Sequence, residues 1–363
     1  MNAESPHRRS TIIRSRSKRP RASLRVGIAL AVTILTVFFW RAMDHDLERL
    51  AQVPLAVMAG NTDISGTVWL PRTPPLAVVA LVHGDGPAER GSGGDYAPII
   101  NAMVDAGIAV ASWDKPGIGQ SGGNWLDQSM EDRATELRAA LDELRHMFPD
   151  LKVGAMGFSQ AGWVLPRLRR DEADFLLLVG AAVSWQSQGD YYTRTRLGIA
   201  GHTEAEINRA LEREERDDER IFGPHATPER APDGMTTDRW AFIRRNRFED
   251  ARTYLPGLDI PLLALWGDKD LNVDAARDSA TYESIAGTAD LPIGTHRIAN
   301  ATHGLLRASA YNWQLPDQWS WAARLRFFVE GRYAYAPGAL DTVTTWILGQ
   351  AASPNTPEFG PVQ

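Results

Sequence analysis

Apolar residues along this chain fall in short unbroken runs, separated by stretches of helical spacing. LAVVALVHG (76–84), IAVASWDKPG (108–117), KVGAMGF (152–158), FLLLVGAAV (175–183) and PLLALWG (261–267) are nearly continuous hydrophobic runs. Runs of this length predict strands covered on both faces, as in a parallel sheet. DYAPIINAMVDAG (95–107), QSMEDRATELRAALDELRHMF (128–148) and QAGWVLPRLRRD (160–171) read as helices, and DTVTTWILGQ (341–350) as a closing helix. PLAVMAG (54–60) and ISGTVWLP (64–71), divided by Asn61-Thr62-Asp63, read as a strand pair, and Thr295-His296-Arg297-Ile298 as another strand. Strands alternating with helices predict an α/β fold with a mostly parallel central sheet flanked by helices.

The alternation stops over about 185–255. This stretch is polar, helical in EAEINRALEREERDDER (204–220), and carries Trp185, Tyr191, Tyr192, Trp240 and Phe242. It reads as an inserted helical cap, and its charge run as a solvated helix face with opposite charges at helical spacing. Residues 41–52 read as a polar spacer. The Pro-rich tail 351–363 reads as loose. The main domain is therefore expected over 52–350.

Val26 to Trp40 is a fifteen-residue run without charge, bracketed by Arg25 and Arg41. As a helix it spans about 22 Å, short of the ~30 Å hydrocarbon core. Snorkelling arginines and an interfacial Trp40 close part of that gap. A cleaved signal peptide needs small residues at −3 and −1, but Trp40 precedes Ala42 and Arg49 precedes Ala51 in the former position. A buried core helix is at odds with the arginine-rich flank. The favoured reading is a transmembrane signal anchor over 26–42, with 1–25 a basic arm kept in the cytoplasm and the main domain outside it.

Charge supports that division. The 363 residues carry a net −6, but eight Lys/Arg against Glu4 give residues 1–25 a charge of +7, leaving −13 for the remainder. An acidic body argues against nucleic acid as a partner. With no cysteine, thiol nucleophiles, disulfides, Cys lipidation and Cys-ligated metals are excluded.

Candidate chemistry begins at Gly157-Phe158-Ser159-Gln160-Ala161-Gly162, where a strand turns sharply into the next element. A nucleophile elbow needs small residues two positions either side of the serine, and Gly157 and Ala161 satisfy this. A phosphate loop fails because Trp163-Val164 stands where Lys-Ser/Thr is required. A dinucleotide fingerprint fails on the spacing of the glycines at 154, 157 and 162.

A serine hydroxyl needs a histidine to take its proton and a carboxylate to orient that histidine. Where such an elbow occurs, the chain order is Ser, then Asp/Glu, then His. Past the run 261–267 stand Asp268 and Asp270; Asp270 is preferred and Asp268 is the alternative. A calcium loop there fails at Val273 and Ser279, which occupy its glycine and glutamate positions. His303, in Asn300-Ala301-Thr302-His303-Gly304, is the preferred base, with His296 the runner-up. Among the eight histidines there is no His-Glu-x-x-His and no close pair, so no metal is expected. The loop His83-Gly84-Asp85-Gly86-Pro87 can aim backbone N–H groups at an oxyanion, with Asp85 the favoured first donor and Gln160 the second. The Asp85 carboxylate should then point away, and His83 brace the loop.

Taken together, HGDGP, SWDKPGIGQSGG, SMED, GFSQAGWVLP, LWGDKD and ATHG resemble, in order and spacing, a branch of the α/β-hydrolase superfamily. That branch holds bacterial serine aminopeptidase-like and dipeptidyl-aminopeptidase-like esterases. The resemblance covers roughly 55–350, is weak over 185–255 and is absent over 1–50. It implies a Ser159–Asp270–His303 triad, an oxyanion site in the HGDG loop, no cofactor, and hydrolysis of an ester or related acyl bond in a small molecule or short peptide. The family usually has a small residue where Asp85 stands. The fold hosts many acyl chemistries. A carboxylesterase is favoured, with a peptidase releasing N-terminal residues and a catalytically silent membrane-bound binding protein as alternatives.

Overall fold

In the computed structural model, which describes residues 20–289 and 291–353, eight strands form one sheet. The chain divides into a segment ending at Arg41 and a body from Ala42 onward. The first segment holds helix α1 (Pro20–Ala42). The basic arm up to residue 19 and the tail from 354 lie outside the described residues.

The body opens with β1 (Ala51–Ala59) and β2 (Thr62–Leu70), an antiparallel hairpin turning at Asn61. Then come β3 (Ala77–Val82), α2 (Ala97–Asp105), β4 (Ile108–Trp113), α3 (Met130–Met147), β5 (Val153–Phe158) and β6 (Leu176–Val179). Three helices follow in the insertion: α4 (Trp185–Ile199), α5 (Glu204–Phe222) and α6 (Thr237–Asn246). The chain returns through β7 (Leu262–Gly267), α7 (Ala275–Ala289) and β8 (Ile293–Ile298). It closes with α8 (Ala308–Tyr311), α9 (Trp321–Glu330) and α10 (Ala339–Ala352).

The strand order is β1-β2-β4-β3-β5-β6-β7-β8, parallel from β4 through β8. β3, β4, β6 and β7 are buried along their whole length, which accounts for their unbroken apolar sequence. One core lies under α3 and α7, and the other under α2 and α10. The parallel strands all point the same way, so the loops after β3, β5, β6, β7 and β8 gather at one edge, where open α/β sheets place their ligands.

Two expectations need correction. Residues 41–52 are no free spacer. The buried Asp44 carboxylate accepts from the N–H and Nε of Arg332, and its carbonyl accepts from Asn101. The expected α-helix over 160–171 is instead two short 3₁₀ segments, Ser159–Trp163 and Leu165–Arg167. Pro166 explains this, since it has no N–H and its ring would strike the Gly162 carbonyl in an α-helix.

Candidate active site

Ser159 is the first residue beyond β5, and its φ of +50° is left-handed. For a non-glycine residue that conformation costs on the order of 1–3 kcal/mol and persists only where surrounding packing enforces it. The packing here is close. A Cβ on Gly157 would lie 2.4 Å from that of Ala161, and one on Gly162 would lie 2.6 Å from that of Ala181. Small residues around the serine are therefore imposed by chain approach.

Asp270 lies three residues past the end of β7, with its side chain fully buried. Its Oδ1 accepts from the N–H groups of Asn272 (2.7 Å) and Val273 (3.0 Å), which aims Oδ2 at the Nδ1 of His303, 2.7 Å away. Tyr191 of α4 donates to the Asp270 carbonyl at 2.8 Å, tying the insertion to this loop. Gly180, at φ +62°, makes room for the histidine: a Cβ there would stand 2.9 Å from Nδ1 and Cε1 of His303. Burial disfavours the imidazolium, but the charge and hydrogen bond of Asp270 outweigh it and hold the His303 pKa above the ordinary imidazole value. The competing candidates lie elsewhere. Asp268 is a third exposed beside Lys269, and His296 is exposed in β8 opposite Leu265.

The loop after β3 is held from below by two buried basic side chains. Lys115 Nζ donates to the carbonyls of Gly84 (2.6 Å) and Gly86 (2.7 Å), and Arg133 donates to that of His83 (2.6 Å). In a planar trans peptide, C=O and N–H point in opposite directions. Fixing the Gly84 carbonyl on Lys115 therefore aims the Asp85 N–H the other way. Gly84 also packs on Ser159, since a Cβ there would be 3.4 Å from the Cβ of that serine. The Gln160 N–H lies in the first turn of a 3₁₀ segment, where no preceding carbonyl of that segment can bind it.

The Asp85 carboxylate is engaged by Arg239 of α6 (3.0 and 3.2 Å) and by Gln160 Nε2 (3.1 Å). Gln160 in turn accepts from Arg133 at 2.6 Å. His83 is buried and donates from Nε2 to the Trp113 carbonyl at 2.7 Å, with its ring stacked on Tyr96. Burial, and next the charge of Lys115, push its pKa down to about 3, so it is a neutral brace.

Ser159 and His303 share the wall of one cavity of about 520 Å³, with Asp85, Tyr192, Trp313 and Trp319 also lining it. Lys115, Arg133, Arg239 and the cavity aromatics Tyr311, Trp313, Trp319, Phe327 and Tyr335 were not among the expected site residues. Among the described residues, no group of three or more His, Asp or Glu side chains is placed to hold a metal ion.

The sheet order, the elbow at Ser159 and the loops gathered at one edge define an α/β-hydrolase. The family model described as serine aminopeptidase, S33 matches residues 73–308, and the chain belongs to that family. Among solved structures, it is similar to a highly thermostable carboxyl esterase from Bacillus coagulans, with 16% identity and a TM-score of 0.53, covering 84% of this chain and 100% of that one. It is also similar to a Pyrococcus furiosus esterase, with 16% identity and a TM-score of 0.51, covering 78% and 91%. A third is Est1E from Butyrivibrio proteoclasticus with ferulic acid bound, with 14% identity and a TM-score of 0.51, covering 82% and 99%. No curated protein sequence matches the chain.

Proposed function

We propose that this hydrolase is a membrane-anchored serine esterase that cleaves carboxylic esters through an acyl-enzyme. Ser159 Oγ attacks the ester carbonyl carbon while His303 Nε2 takes its proton. The oxyanion is met by the N–H groups of Asp85 and Gln160. Collapse expels the alcohol, which leaves with the proton from His303. Water then repeats the sequence on the acyl-enzyme and releases the acid. Asp270 keeps the proton of neutral His303 on Nδ1, which leaves Nε2 free as the base.

The observation that carries this reading is the 2.7 Å His303–Asp270 hydrogen bond beside a left-handed Ser159 in one cavity. The aromatic part of that wall, which includes Tyr192, Trp313, Trp319 and Phe327, supports an apolar acyl or alcohol group. Turnover of a panel of short- and medium-chain esters, lost in Ser159→Ala, is the expected result. Absence of ester turnover by the folded protein would refute it.

A second reading, release of N-terminal residues, is favoured by one feature. Asp95 lines the cavity, where a carboxylate could meet an ammonium group. Burial raises its pKa, against the opposing charge of Arg324, which weakens that role. Activity confined to aminoacyl arylamides would decide for this reading.

Anchoring is supported by Val26–His45, which is long and apolar enough to cross a membrane. The helix Pro20–Ala42 has 23 residues and so spans about 34 Å at 1.5 Å per residue. The basic arm then stays cytoplasmic and the hydrolase body lies outside the cytoplasm. Recovery of full-length protein in the membrane fraction, with its N-terminus intact, is expected.

A further inference from the structure

Helix α9 is apolar on the side that faces away from the body. Ala323 and Phe327 are buried beneath it. Trp321, Leu325 and Phe328, one to two turns apart on the opposite side, are 76%, 47% and 41% exposed. Leu315, in the loop before α9, is 41% exposed. Arg324 and Arg326 are exposed among them. A solvent-facing helix surface ordinarily carries polar residues. Trp, Leu and Phe interspersed with arginine are the composition of a helix lying in a bilayer interface, with rings at headgroup level and guanidinium groups on phosphates.

Two further observations say what covers this face. The first is where the chain enters the body. His45 donates to the Phe327 carbonyl at 3.2 Å and stacks on Phe328 at 5.1 Å. His45 is three residues past the end of α1 at Ala42, no more than about 11 Å of extended chain. An anchor in the bilayer therefore brings this part of the body to the membrane surface by covalent connection alone. The second is a cavity of about 380 Å³ between His45, Arg324 and Phe328, which shares Asp95, Trp319 and Phe327 with the wall of the catalytic cavity.

We propose that the outer face of α9 rests on the lipid surface, and that the His45–Phe328 cavity receives apolar esters from the bilayer and passes them to Ser159. This rests on the anchored-esterase reading and names its substrate class: long-chain acyl esters dissolved in a membrane.

The absence of cysteine allows a direct test. Full-length Leu325→Cys, labelled with the fluorophore NBD, is reconstituted into phosphatidylethanolamine–phosphatidylglycerol vesicles. Its emission is expected to shift to the blue and to be quenched by brominated acyl chains. The same label in Glu215→Cys, exposed on α5, should be little quenched. Equal quenching at both positions, or a blue shift at 325 without lipid quenching, as when protein covers the face, overturns the proposal. So does failure of the full-length protein to remain with the vesicles, which also overturns the anchor. For the substrate class, Trp321→Gln/Leu325→Gln should hydrolyse a short soluble ester like the parent, but a long-chain ester in vesicles several-fold more slowly. Equal rates on both substrates, relative to the parent, count against it. If the parent hydrolyses neither ester, the esterase reading fails, whereas the quenching result still decides the α9 surface.

Discussion

The guanidinium of Arg239, on helix α6 of the insertion, grips the carboxylate of Asp85 in the loop after β3, at 3.0 and 3.2 Å. The pair joins the insertion to the loop proposed to hold the oxyanion. Both side chains are about a third or more exposed, so the pair contributes little to stability, about 1 kcal/mol at most. Arg239→Gln is therefore expected to leave the melting temperature nearly unchanged but to lower kcat on soluble esters. The loss should be smaller than the ~100-fold or more that follows outright removal of an oxyanion donor. Burial opposes ionisation of Asp85, but Arg239 outweighs it and holds the carboxyl below the usual range. The latch should thus persist as pH falls, until the carboxylate protonates below that range.

Lys115 reaches the same loop from beneath. Lys115→Met keeps the stem but removes both donors from the Gly84 and Gly86 carbonyls. If Lys115 aims the Asp85 N–H, kcat should fall by about 10–100-fold, approaching the loss of a donor, while KM changes much less. A loss of stability without that kcat-selective effect would reduce Lys115 to a structural role.

The pH dependence follows from His303. Its folded pKa is raised above the unfolded value, so the imidazolium–carboxylate pair adds stability below the unfolded pKa of about 6.5. That contribution is lost as pH rises through the folded value. As the proposed base, His303 is needed neutral, so kcat/KM should rise through the same folded pKa, above the ordinary imidazole value. Asp270→Asn should move that limb to lower pH and cost about 10⁴-fold in kcat. A limb that does not move would detach Asp270 from His303 in function.

Gly180 separates packing from chemistry. Gly180→Ala places a methyl 2.9 Å from the His303 ring at a left-handed backbone position. The expected destabilisation is about 1–3 kcal/mol, with a disproportionate loss of kcat because the imidazole must move. Thermal unfolding and ester kinetics on one preparation would separate the two effects.

The fold was legible where one physical cause dominates. Strands such as Ala77–Val82 and Leu262–Gly267 are covered on both faces, so every residue is apolar and the run declares itself. The relation between Asp270 and His303 was legible because each follows a strand at the loop-bearing edge. Periodicity misread 160–171, because the apolar residues there answer to the core while Pro166 prevents the α-helical bonding they suggest. It was silent over 304–340, where α8 has four residues and α9 ten, and α9 is apolar on both its buried and exposed sides. Lys115 and Arg133 were missed because buried basic side chains that bind main-chain carbonyls look, in sequence, like any surface charge.

The central claim is that Ser159 accepts the acyl group. Full-length protein incubated with a fluorophosphonate and digested for peptide mass spectrometry tests it most directly. The account predicts one stoichiometric adduct on Ser159, absent from Ser159→Ala and slowed when His303 is replaced by Ala. No adduct on the folded protein, or an adduct that survives in Ser159→Ala, would contradict it.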